Sequence, residues 1–165
     1  MSHVTTGSRT FDVVRVTSAK ELNDAVHAPG VKEFVVPPQF ERLDMSSFVD
    51  DPDNVVLRCG DGVLMFRRMW GFVFEAHYLF PPSVRGAAAV SAAKKMLETM
   101  FTTYRASAIH GYTPRENRAA RVMNRRLGLT PSGAVPNLNE PDTVHYVLER
   151  KTWEHSLKSA RASLV

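Results

Sequence analysis

Residues 79–101 read LFPPSVRGAAAVSAAKKMLETMF. Leu79 and Phe80 finish an apolar strand, Pro81 and Pro82 break it, and from Gly86 onward the composition is that of a helix whose first turn is almost all alanine. The first four backbone N–H groups of a helix have no partner inside it, and the macrodipole places partial positive charge at that end. Gly86, Ala87, Ala88 and Ala89 leave room for a bulky phosphate to reach those amides, and Arg85 adds a full charge. Strand, tight loop and helix start therefore predict an anion site, with a phosphate-bearing cofactor as its occupant.

The flanking segments place this loop in a sheet. Upstream, residues 72–80 alternate: Phe74, Ala76, Tyr78 and Phe80 point to one face, Val73, Glu75, His77 and Leu79 to the other. Two earlier strands, 55–59 and 63–68, flank Gly60-Asp61-Gly62, a hairpin signal. A strand at 11–16 and a helix opened by the capping box Ser18/Glu21 precede them, and residues 31–38 are ambiguous. Residues 44–53 hold four aspartates, but Pro52 and the lack of a turn glycine speak against a calcium loop, so a solvated loop and no metal are expected. Downstream, Ala89, Ala93, Met96, Leu97, Met100, Phe101 and Tyr104 form one apolar stripe on a helix over 86–104. A short strand at 108–112 leads to a second helix, with Thr113 as N-cap, Pro114 at its first position, Glu116 closing the box and Gly128 ending it. A loop over 130–142 and a strand over 143–149 complete the order, which predicts an α/β fold: a mixed, mostly antiparallel sheet with helices on both faces.

At 165 residues, 44% hydrophobic and 23% charged, the chain fits one globular domain. The expected division is a loose tail at 1–10, a single domain at 11–150 and a polar C-terminal extension at 151–165 that can form a short helix. The absence of a long apolar run or signal-like start points to a cytoplasmic protein without membrane contact. Cys59 alone allows neither an internal disulfide nor a cysteine-based zinc cluster. Five arginines against Glu116 between residues 115 and 126 account for the whole net charge of +4. Arg115, Arg118, Arg121 and Arg125 form a stripe that is a solvated face, a support for a cofactor phosphate, or a surface for an acidic partner; no interleaved aromatics favour nucleic acid.

The runs VRGAAAVSAAKKMLETMF and TPRENRAARVMNRRLGL resemble the GNAT superfamily of acyl-CoA-dependent N-acyltransferases, including a subgroup seen in phage and prophage genomes. The resemblance spans about residues 72–149. It implies acetyl-CoA as cosubstrate, its pyrophosphate cradled by Arg85, Gly86, Ala87, Ala88, Ala89 and Val90. Leu79 and Phe80 would line the pantetheine arm where the fourth and fifth strands splay, and Asn117 would touch the arm near the splay. Ala88 and Val90 stand where the common family pattern has glycines, although the phage-associated subgroup keeps this spacing. Asn124 stands where many members place a tyrosine that protonates the leaving thiolate.

The implied reaction is attack of a primary amine on the acetyl thioester, which needs a base, donors to the thioester carbonyl and an exit for the thiolate. Glu75 and His77 are the candidate catalytic residues because their strand leads into the cofactor loop and both share a face. A histidine suits neutral pH unaided, whereas a glutamate needs its pKa raised by burial. The alternative is that Glu75 pairs with an arginine and His77 is an ordinary sheet residue. His110 is a weaker candidate, and His3, His27, His145 and His155 show no constellation. Residues 29–53 and 130–142 would border the acceptor, whose identity stays open. The competing reading is a GNAT-like module without catalysis, a binding or structural part such as a virion component; a protein partner or a homodimer remains open.

Overall fold

The computed structural model describes residues 11–132 and 142–163. Thirteen elements follow one another among them: β1 (Val13–Arg15), α1 (Ala19–Val26), α2 (Lys32–Val35), α3 (Ser46–Asp50), β2 (Val55–Cys59), β3 (Gly62–Trp70), β4 (Val73–Leu79), α4 (Gly86–Thr102), β5 (Ala108–Pro114), α5 (Arg118–Arg126), β6 (Thr130–Pro131), β7 (Thr143–Glu149) and α6 (Arg150–Ala162). The strands form one sheet in the order β1-β2-β3-β4-β5-β7-β6. Every pairing is antiparallel except β4 with β5, which α4 connects as a crossover. This is the mixed, mostly antiparallel sheet with helices on both faces that the order of elements predicts.

Alternation sorts the side chains into two cores. Leu64, Phe66, Phe74, Ala76 and Ile109 pack against Ala89, Ala93, Met96, Leu97, Met100 and Phe101 of α4. On the other face Val56, Val63, Met65 and Leu79 pack against Leu22 and Val26 of α1 and the Val31 and Val36 that flank α2. The α4 stripe is the predicted one, and the helix ends two residues earlier, at Thr102. Ser18 caps α1 as expected, its hydroxyl accepting from Glu21 N at 3.3 Å.

The register sets the central feature. Strands β4 and β5 pair only through Val73–Ala108, Phe74–Ile109 and Glu75–His110, yet β4 continues to Leu79 and β5 to Pro114. Beyond Glu75 and His110 the two strands therefore diverge without a ladder. A side-chain chain replaces it on the α4 side: the Tyr78 hydroxyl donates to Asn124 Oδ1 at 2.7 Å, and Asn124 Nδ2 donates to Thr113 Oγ1 at 2.9 Å. Asn124 belongs to α5, is fully buried and stands over Gly111.

Several sequence expectations change. Thr113 and Pro114 pair with Val144 and Thr143, which keeps them in β5. Thr113 turns its hydroxyl to Asn124 and lies well before Arg118, the first residue of α5, so it does not cap that helix. The cap is Asn117, whose Oδ1 accepts from Ala120 N at 3.0 Å, leaving Glu116 and Arg115 outside the helix and shortening the arginine stripe. The aspartate-rich stretch carries α3 rather than a plain loop, with Asp44 accepting from Ser46 N at 3.0 Å. Residues 31–38 contain α2. The C-terminal extension, by contrast, forms the helix read from its sequence, α6, and Trp153 stacks on Phe101 at 4.8 Å. The tail at 1–10, with His3, and residues 133–141 of the 130–142 loop lie outside the described residues. No helix among those described is long and apolar enough to cross a membrane.

Asn124 ties α5 to both diverging strands, and removing it strands two hydroxyls in the interior. Asn124→Ala is expected to lower stability by about 1–3 kcal/mol in urea unfolding, the cost of unpaired buried polar groups. A loss below about 0.5 kcal/mol, the range of ordinary surface substitutions, would show that the bridge contributes little.

Candidate functional site

On the α4 side of the divergence lies a cavity of about 220 Å³. Arg85, Gly86, Ala89 and Val90 form one wall, Asn117 and Met123 another, with Tyr78 and Phe80 contributed from β4 and its end. Gly30 and Phe34, at and just before α2, close it from the opposite side. The start of α4 is open: Arg85 holds the N-cap position with extended backbone (φ −132°, ψ 167°) and makes no capping hydrogen bond. Arg85, Gly86, Ala87 and Ala88 are all exposed, so the orphan amides of the first turn are free to meet an anion. Gly86 has φ +58°, a left-handed turn that glycine adopts without strain. A Cβ there would meet nothing within 4 Å, so the turn itself, and not crowding, calls for glycine.

Two further glycines fix the walls by close approach. At Gly62 an added Cβ would come within 2.2 Å of the Phe80 ring, so Phe80 packs directly against the β2–β3 hairpin. At Gly30, φ +79°, it would come within 2.5 Å of Pro82 Cγ. The α1–α2 turn thus sits directly on the Pro81-Pro82 break.

Of the residues named for a cofactor, Phe80, Arg85, Gly86, Ala89, Val90 and Asn117 line this cavity. Ala87 borders a shallower hollow with Ser91, Lys94 and Arg126, Ala88 faces solvent, and Leu79 is buried in the second core on the opposite face. Among the arginines, Arg126 lines both hollows, while Arg115, Arg118, Arg121 and Arg125 line neither. Tyr78 was legible, since alternation puts it on the Phe80 face, but nothing in the sequence marked its hydroxyl for Asn124. Burial pushes that phenol well above its ordinary range. Phe34 and Gly30 come from a segment expected beside the acceptor; no local pattern indicated that they reach the cofactor loop.

The other face carries the titratable groups. Register places Arg67 opposite Glu75, Glu75 beside His110, and Tyr112 opposite His145. Glu75 is 6% exposed, and its Oε2 accepts from both Arg67 Nε, at 3.1 Å, and Arg67 Nη2. Its Oε1 lies 3.4 Å from His77 Nε2. Burial alone would raise the Glu75 pKa, but the hydrogen bonds and charges of His77 and Arg67 outweigh it and hold the carboxyl down to about 2. Glu75 is therefore a fixed negative charge at neutral pH and a weak proton acceptor. The pairing with an arginine is the alternative considered from the sequence, with Arg67 as the partner. His77 is exposed at the rim of this group. His110, half-buried, and His145, 7% exposed, approach to 2.8 Å between His110 Nδ1 and His145 Nε2. No local pattern marks His145, because the two histidines meet only through the β5–β7 pairing.

Solved structures share this architecture. An acetyltransferase of the GNAT family from Bacillus anthracis aligns with 87% of this chain and 98% of its own, at 17% identity and a TM-score of 0.53. The ribosomal-protein-S5-alanine acetyltransferase from Vibrio fischeri aligns over 92% and 99%, at 13% identity and a TM-score of 0.67. The spermidine N-acetyltransferase from Vibrio cholerae, solved in complex with CoA and spermine, aligns over 88% and 99%, at 12% identity and a TM-score of 0.69. At such identities the likeness establishes the fold, which is that of the GNAT acetyltransferases. No curated protein matches the sequence. Residues 54–159 match the model of the family described as "Protein of unknown function (DUF2824)", and the chain belongs to that family.

Proposed function

We propose that this chain is an N-acetyltransferase that moves the acetyl group of acetyl-CoA to a primary amine. The observation that carries the reading is the cavity at the β4–β5 divergence, closed at one end by the uncapped start of α4 with Arg85 beside it. A pyrophosphate fits the four orphan amides, because they supply donors and partial positive charge at once. Phe80, Val90 and Met123 give the apolar surface that a pantetheine arm needs. Leaving the ladder open past Glu75 and His110 leaves backbone groups of β4 and β5 available to that arm, as an added strand would use them.

The acceptor approaches from the opposite face, through the gap between the strands, where Arg67, Glu75, His77 and His110 are grouped. Glu75, ionised and held by Arg67, attracts and orients an ammonium group, and an imidazole of the same face carries the proton. The three-dimensional neighbours act on a polyamine and on the alanine of a ribosomal protein, so both amine types belong in the first screen. The phage-associated GNAT subgroup is the relationship that the Arg85 loop spacing supports. The deciding experiment is calorimetric titration with acetyl-CoA, followed by a panel of spermidine, an alanine-initiated peptide and free lysine. Binding with turnover of any amine supports the enzyme. No binding up to millimolar acetyl-CoA overturns it in favour of a binding or structural module, which Asn124 in the place of the usual tyrosine would suit.

Two substitutions probe the halves of the site. Arg85→Ala is expected to weaken acetyl-CoA binding roughly tenfold to a hundredfold, the worth of a charge-assisted contact, and unchanged affinity would remove Arg85 from the cradle. Glu75→Gln tests the fixed charge through stability. A carboxyl whose folded pKa lies below its ordinary value of 4.5 contributes stability above that value and loses it as pH falls toward about 2. The variant should therefore be less stable than the parent at pH 7, with the gap closing between about pH 4.5 and pH 2. Thermal unfolding at pH 7 and pH 3 measures it, and a gap independent of pH would contradict the ion pair.

A further inference from the structure

Two histidines on the acceptor face, His110 and His145, meet where β4 and β5 part. His110 is the last β5 residue paired with β4, so it stands at the point where the strands begin to diverge. It is half-buried, with Trp70 edge-on at 5.8 Å. Behind it His145 is buried, with the Tyr112 ring stacked on it at 4.7 Å, and its Nδ1 has no hydrogen-bond partner among the described residues. The 2.8 Å contact between His110 Nδ1 and His145 Nε2 holds one proton between two rings.

We propose that His110 is the base of the acetyl transfer and that His145 positions it. This rests on the N-acetyltransferase reading. When the shared proton resides on His110 Nδ1, His110 Nε2 presents a lone pair at the divergence. His110 Nε2 takes one proton from the acceptor's ammonium, and the freed nitrogen lone pair attacks the thioester carbon. The C–N bond forms, the C–S bond breaks with its electron pair going to sulfur, and the second amine proton ends on that thiolate. The products are the amide, the thiol and a protonated His110 that returns its proton to solvent. His145 Nε2 accepts from the imidazolium Nδ1–H throughout and so spreads its charge. With the shared proton on His145 instead, the lone pair moves to the buried Nδ1; both placements gain a proton to give the same cation, so the two rings titrate as a unit.

Charge around the pair suits this role. On the same face of the sheet around it stand Arg67 from β3, Glu75 and His77 from β4, Tyr112 from β5 and Glu149 from β7. Burial, then the neighbouring His145, lowers the His110 pKa, while Glu75 and Glu149 oppose the fall; burial lowers that of His145 as well. The pair is thus neutral and able to accept at neutral pH, and the two glutamates favour the cation once it forms. Glu75, already ionised and tied to Arg67, cannot take this part.

The test compares the full chain with His110→Asn, His110→Gln and His145→Asn, using acetyl-CoA and whichever amine of the panel is turned over. Both His110 variants are expected to lose roughly 10²–10⁴-fold in kcat with acetyl-CoA affinity within twofold. His145→Asn should lose less and move the acid limb of the pH–rate profile. In the parent that limb, and the imidazole titration followed by NMR, should lie below 6.5, the ordinary histidine value. Unchanged kcat and an unmoved acid limb in both His110 variants overturn the assignment, as does a pair that titrates above 6.5. If acetyl-CoA binds and an amine reacts but the histidine variants behave as the parent, only this assignment fails. If the parent neither binds acetyl-CoA nor acetylates any amine, the acetyltransferase reading fails and takes the base with it.

Discussion

The hydrogen-bond ladder between β4 and β5 stops after Glu75 and His110, and the rest of the molecule depends on that stop. Two adjacent strands that part inside a sheet expose backbone donors and acceptors to the interior, which costs free energy unless something satisfies them. Here the divergence is stabilised from one side by a chain of three side chains. Tyr78 on β4 and Thr113 on β5 both reach Asn124 on α5, so the helix holds the strands at a set distance without closing them. The gap is thereby a built feature of the fold, and the cavity exists because the sheet is kept incomplete.

The two faces of the sheet divide the work. On the α4 face apolar side chains and backbone amides are joined by Arg85 and Arg126, surroundings that accept an extended, anionic and largely greasy molecule. On the other face a buried carboxylate, an arginine and three imidazoles come together from β3, β4, β5 and β7. A buried Glu75 would be costly alone; it is stable because Arg67 donates to it twice, and the pairing depresses its pKa instead of raising it. Holding the carboxylate charged turns a residue that looks like a base into a fixed electrostatic partner, and leaves proton transfer to neutral imidazole.

Much of this was legible in the chain, for local reasons. Alternation from 72 to 80 assigned the faces of β4 correctly, the apolar stripe located α4, and Pro-Pro followed by Gly86 marked the open helix start. These signals depend on residues adjacent in sequence. What failed or stayed hidden depended on pairing. Thr113, Pro114 and Glu116 spell a helix start, but cross-strand bonds to Val144 and Thr143 outcompete it and pass the cap to Asn117. Asn124 looked like a missing tyrosine when read against the family pattern alone; in the fold it is a fully buried bridge. The meeting of His110 with His145 needs the β5–β7 register, which no local pattern in either segment encodes.

The contact of Gly30 with Pro82 reaches beyond the geometry of the cavity. Position 30 admits no side chain while Pro82 is there, and Pro82 in turn leads into the turn that opens α4. The loop that would grip an anion is therefore braced from outside before any anion arrives, so little ordering entropy remains to oppose binding. Position 30 is held to glycine twice, by this contact and by its left-handed backbone at φ +79°, so a smaller residue at 82 would lift only one of the two constraints. A substitution at position 30 is therefore felt at the start of α4, although the two segments lie far apart in the chain.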